Sequence, residues 1–63
     1  MPEFFIYKND YKIGQAKTWH KALAMLIAID NIGIFSVIIN PGILSIHTHE
    51  KPSNRYKIIK ERG

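Results

Sequence analysis

Ile34-Phe35-Ser36-Val37-Ile38-Ile39-Asn40-Pro41-Gly42-Ile43-Leu44-Ser45-Ile46-His47-Thr48-His49 is the stretch that decides the fold. Pro41 presets the backbone for the first central position of a turn, and Gly42 accepts the positive φ that a type II turn requires at the second. The turn joins two strands. Residues 34–39 form a nearly continuous β-branched run, the pattern of a central strand buried on both faces. Residues 43–49 alternate instead, with Leu44, Ile46 and Thr48 on one side and Ile43, Ser45, His47 and His49 on the other.

Working outward, Glu50 to Asn54 contains Pro52 and reads as a loop. Arg55 to Lys60 then reads as a last strand, with Tyr56 and Ile58 on one side and Arg55, Lys57 and Ile59 on the other. The tail, Glu61-Arg62-Gly63, is expected to fray. Toward the N-terminus, Thr18 is a good helix N-cap. A helix follows from Trp19 to about Asn31, with Gly33 as its stop. At ~100° per residue, Trp19, Ala22, Leu23, Leu26 and Ile29 share one face, and Met25 and Ile27 widen the apolar stripe.

Glu3 to Lys8 is rich in aromatics and reads as a strand. Asn9-Asp10 is a plausible two-residue hairpin turn, and residues 11–16 return. This turn sets Lys8 opposite Tyr11, Ile6 opposite Ile13 and Phe5 opposite Gly14. The order β-β-α-β-β-β, with hairpins at both ends, predicts an α+β domain spanning residues 1–63. Its sheet is small and mainly antiparallel, with one helix packed across one face.

A 63-residue chain buries only ~60% of its unfolded surface, so a staple or a second copy is commonly needed. The chain has no cysteine, which removes disulfides, thiolate zinc sites and cysteine nucleophiles. No charged start followed by an apolar run marks a signal peptide. The longest apolar run, Ala22 to Ile29, is far short of the ~20 residues of a membrane span. A cytoplasmic location is therefore expected. The net charge of +4 favours acidic partners, nucleic acid among them. The abundance of Ile, Lys and Asn suits an AT-rich genome, such as that of a phage or another mobile element.

Catalytic patterns are scarce. No glycine-rich phosphate loop or nucleophile elbow occurs. The acids Glu3, Asp10, Asp30, Glu50 and Glu61 show no paired spacing, and Asp30 is read as a structural carboxylate at the helix end. The chain is also read as too short for a deep pocket of the size most small-molecule sites need. The one metal-like pattern is His47-Thr48-His49, in which residues two apart on a strand point the same way. Two ligands do not make a site, so no metal and no cofactor is expected. Lys17, His20 and Lys21 form a small basic patch at the helix start. There a phosphate could bind, although a solvated face is the commoner meaning.

One helix covers one side of a sheet, so the other side is left open. Alternation assigns Phe5, Tyr7, Lys12, Ser36, Ile38, Ile43, Ser45, His47, His49, Arg55, Lys57 and Ile59 to it. The expected partner-binding residues are Phe5, Tyr7, Lys12, Ile43, His47, His49, Arg55, Lys57 and Ile59. The expected function is that of a small non-enzymatic binding protein, which inhibits or modulates a protein partner by occlusion through this face. Burial of the same apolar groups against a second copy, as a homodimer, is the simpler alternative. A nucleic-acid-binding module would use the same residues, with rings stacking bases and cations meeting phosphates. A third option is an edge-strand adaptor, in which Arg55 to Lys60 or Glu3 to Lys8 extends a partner's sheet.

Overall fold

The computed structural model describes residues 2–50 and 52–62. Five strands and one helix follow in the order β1 (Pro2–Lys8), β2 (Tyr11–Ala16), α1 (Trp19–Asp30), β3 (Phe35–Asn40), β4 (Ile43–Thr48) and β5 (Arg55–Arg62). The strands form one antiparallel sheet in the order β2-β1-β5-β4-β3. The α+β architecture read from the sequence is therefore the architecture of the chain. The last strand extends further than expected: Glu61 pairs with Glu3, and Arg62 with Pro2, so the tail is held in the ladder as far as Arg62. Gly63 lies outside the described residues.

Local chemistry explains both hairpins. Asn9 and Asp10 have φ of 50° and 71°, the pair of positive values that a type I′ turn needs and that Asn and Asp tolerate. Asn9 also binds the incoming end of β5. Its N–H donates to the Arg55 carbonyl at 2.8 Å, and its Oδ1 accepts from the Arg55 N–H at 2.9 Å. In the second hairpin Gly42 stands at φ 78°, with Asn40 and Ile43 paired across the turn.

The β1–β2 register departs from the simple expectation. Lys8 faces Tyr11 and Tyr7 faces Lys12, but Ile6 then faces Gly14 and Phe5 faces Gln15. Ile13 is an extra residue, a β-bulge, and still packs on the core. The reason lies at Gly14, where a Cβ would come within 3.0 Å of Met25 Sδ. The bulge brings the one residue without a side chain beneath the helix. Met25 thus sits over β2 rather than idle on a flank.

Thr18 caps α1 as expected, its hydroxyl accepting from the Lys21 N–H at 3.1 Å. The stop is Asn31, in the left-handed conformation at φ 50°, not Gly33. Asn is the commonest non-glycine residue there because its short polar side chain tolerates positive φ. A helix of this length is marginal alone. No acid stands in its first turn and no base in its last, so its dipole gains nothing from its own charges. Packing holds it. Ala22 and Leu26 are fully buried against a core of Phe4, Ile6, Ala16, Ile32, Ile46, Tyr56 and Ile58. Trp19, half-buried, sets its ring 4.5 Å from that of Phe4. Ile29, expected to face inward, is 49% exposed.

At the far end of α1 the helix is pinned by a polar chain. Asp30 Oδ2 accepts from the Tyr56 hydroxyl and pairs with Lys8 Nζ at 2.8 Å. Asn54 Nδ2 donates to the Tyr56 oxygen at 3.3 Å, and Asn9 Nδ2 to Asn54 Oδ1 at 3.3 Å. A carboxylate at a helix C-terminus opposes the dipole, and the Lys8 ammonium offsets it. Asp30 is thus a partnered structural carboxylate.

The main correction concerns β3. The apolar run places it at the edge of the sheet, not at the centre. Ile34, Ile38 and Ile39 are 68%, 50% and 78% exposed. The strands proposed as free edges, β1 and β5, are inner strands, each paired on both sides, and the actual edges are β2 and β3. The cause is the return of the chain after β4. The hydrogen bonds of Asn9 and the apolar match of Ile6 with Ile58 draw β5 in beside β1. The β3–β4 hairpin is left outermost.

Two predictions follow from this packing. Leu26→Ala should cost ~2–5 kcal/mol of unfolding free energy in urea melts, through lost transfer energy and the cavity left behind. Hydrogen bonding to Asp30 raises the Lys8 pKa above its ordinary 10.5, and burial, followed by the bond to Asp30, raises that of Tyr56 above 10.0. Both groups hold their protons more tightly when folded, so their contribution is complete below pH 10 and is lost as pH rises past the folded values. Urea melts should therefore show stability falling steeply above pH 10, and Tyr56→Phe should make that fall shallower.

Candidate functional site

The helix backbone lies over β2, β1 and β5 and stands off from β4 and β3, which reach it through side chains alone. The opposite side of the sheet carries no helix at all. Because residues paired across an antiparallel ladder point to the same side, the registers define this open face row by row.

The first row pairs Glu3 with Glu61. The second runs Gln15–Phe5–Ile59–Ile43–Asn40. The third runs Lys12–Tyr7–Lys57–Ser45–Ile38, and the fourth Arg55–His47–Ser36. Each residue expected to bind a partner except His49 thus stands in these rows. His49 follows directly after β4 and continues its alternation, with its N–H on the Ile34 carbonyl at 3.3 Å and its Nε2 3.4 Å from Ser36 Oγ. Sequence reading missed Glu3, Gln15, Asn40 and Glu61. Gln15 joins the face only because of the bulge. Glu61 lay in the tail read as frayed, whereas Glu3 stood inside the expected strand, two residues from Phe5, and was left off the face.

The face is polarised along the strands. The two carboxylates lie directly opposite each other at one end, an arrangement that is unfavourable unless a cation answers it. An apolar band follows, in which Phe5 and Ile59 are half-buried by their neighbours and Ile43 is more open. Beyond it lie Lys12, Lys57, Arg55 and His47. Lys12 Nζ sits 4.3 Å above the Phe5 ring centre and donates to Gln15 Oε1 at 2.8 Å. Lys57 Nζ lies 3.4 Å from Asp10 Oδ1 at the hairpin tip. These surface pairs are weak, worth no more than ~1 kcal/mol each. A partner's carboxylate could displace either.

The histidine pair does not gain a third ligand. Among the described residues no group of three or more His, Asp or Glu side chains stands close enough to hold one ion. The chain possesses a groove of about 470 Å³ that is broadly open to solvent, not a deep pocket. The groove lies beside Trp19 at the β3–β4 hairpin, where Ile39, Ile43 and Leu44 line it, and Lys60 is the one charged residue of its lining among the described residues. Among the described residues its lining holds no carboxylate, imidazole or hydroxyl. No helix among the described residues is long and apolar enough to cross a membrane.

No protein-family model matches the chain, and neither a curated protein nor a solved structure matches it.

Proposed function

We propose that this chain is a non-enzymatic binding protein that docks the open face of its sheet on a protein partner and acts by occluding the surface it covers. One observation carries the reading. The apolar band of Phe5, Ile59 and Ile43 lies between a carboxylate pair, Glu3 and Glu61, and a cationic end made of Lys12, Lys57 and Arg55. An apolar centre with a charged rim is the anatomy of a protein interface. The two signs at opposite ends fix the orientation of a partner with the reverse pattern and speed its approach.

Single-stranded nucleic acid is the second reading, and the third row favours it, since Tyr7 stands there between Lys12 and Lys57. Two features count against it. The Phe5 ring already carries Lys12 over its face, so a base can stack there only after that side chain moves away. A strand running along the sheet would also meet Glu3 and Glu61.

The readings separate by experiment. Chemical cross-linking in the cells that produce the chain should yield a defined protein adduct, and the double variant Phe5→Ala, Ile43→Ala should abolish it. Its circular dichroism should stay that of the folded chain, because neither side chain lies in the core beneath the helix. Fluorescence anisotropy with a single-stranded oligonucleotide should show weak binding at 50 mM salt. Tight binding that falls steeply toward 200 mM salt and is lost in Tyr7→Ala would replace the protein reading with the nucleic-acid one.

A further inference from the structure

An edge strand exposes a row of backbone donors and acceptors, and natural proteins blunt such rows with charges, prolines or bulges. The two edges of this sheet differ in that respect. β2 carries Lys12, the bulge at Ile13 and Gly14. β3, Phe35-Ser36-Val37-Ile38-Ile39-Asn40, has no charge, no proline and an unbroken register with β4. Its composition is that of a strand buried on both faces, yet within the chain it has a neighbour on one side alone.

The direction of its free groups follows from the turn. A two-residue turn makes Asn40 and Ile43 a hydrogen-bonded pair, so Ile38 with Ser45 and Ser36 with His47 are the next ones. The bond from the His49 N–H to the Ile34 carbonyl keeps the same phase. The N–H and C=O groups of Phe35, Val37 and Ile39 therefore point away from the sheet.

We infer that β3 pairs antiparallel with β3 of a second copy of this chain, about a two-fold axis through Val37, so that two five-stranded sheets become one. In an antiparallel ladder the outward-bonding residues must face one another. A centre at Val37 aligns all of them: Val37 meets its own equivalent, and Phe35 meets Ile39 of the second copy in both directions. On the helix side the seam is then apolar throughout. On the open face Ile38 meets Ser36 of the second copy. No charged side chain stands opposite a like charge in the strand, although the chain has a net charge of +4. Phe35 of the second copy arrives beside Ile39, at the rim of the groove that Trp19 and Leu44 line, and covers the most exposed apolar side chain of the strand. The contact is isologous and closes, so it stops at two copies instead of growing into a fibre. It leaves the rows around Phe5 free, and the inference stands apart from the choice of partner for that face.

Sedimentation equilibrium tests it across a dilution series, at 0.1 and 0.5 M salt. The expected result is a dimer that dissociates on dilution and is little affected by salt, because the seam is uncharged. Val37→Lys places two ammonium groups face to face and should raise the dimer dissociation constant about a hundredfold or more. Val37→Pro deletes the outward N–H, which the β3–β4 ladder does not use, and should do the same with circular dichroism unchanged. Because the chain lacks cysteine, single cysteines report the register. Oxidised Val37→Cys should form a disulfide-linked dimer, and Ile38→Cys and Ile39→Cys should not. A wild-type chain that is monomeric at high micromolar concentration overturns the inference, as does a cross-link through Ile38→Cys in place of Val37→Cys. A dimer that survives Val37→Lys but is lost in Phe5→Ala, Ile43→Ala overturns it in favour of the open face. Loss of partner binding in that double variant with the β3 dimer intact leaves the inference standing, and so separates the two surfaces.

Discussion

The structure depends on the seating of one short helix on three strands. Leu26 and Ala22 fill the space above Ile6 and Ile58, and the ends are held by Thr18 at the start and by the Lys8–Asp30–Tyr56 contact at the finish. A helix is about 10 Å across and strands are spaced ~4.8 Å apart, so one helix shields two or three of them. The sheet has five. Everything distinctive about the surface follows from that mismatch. One side of the sheet is wholly open, and β4 and β3 extend beyond the helix on the other. The chain accordingly has an elongated outline of 34 × 21 × 19 Å.

The polar chain from Asn9 to Asp30 joins the two levels of the fold. Asn9 closes the first hairpin with positive φ and, through the same side chain, bonds the first residue of β5. Asn54 and Tyr56 carry the link on to the end of the helix. No buried side-chain polar atom among the described residues lacks a partner, and a satisfied network of this kind specifies one arrangement over its neighbours. It also explains how β5, the last strand in the chain, comes to lie in the middle of the sheet.

Much of this was legible from the residues. Thr18 marked the helix start, Pro41-Gly42 the second hairpin and Asn9-Asp10 the first, because each acts through its own backbone conformation or a bond within three residues. The alternation of Phe5 and Tyr7, of Ile43, Ser45 and His47, and of Arg55, Lys57 and Ile59 placed those side chains together, since a strand's period of two does not depend on its neighbours. The bulge at Ile13 was not legible. It answers a contact between Gly14 and Met25 that exists only once the helix has docked. The polarity of the open face was missed for a similar reason, since Glu3 and Glu61 meet through a pairing between the two ends of the chain.

The amino-acid sequence by itself determined the elements, their order and the sidedness of β1, β4 and β5, because propensity, capping and alternation act over a few residues. Strand order was decided by tertiary structure alone. The run from Ile34 to Ile39 carries the signature of burial on both faces, and periodicity cannot say whether the covering comes from the same chain. Long-range pairing of β5 with β1 decided the order, sending the most apolar strand to the rim with one side of its backbone facing outward.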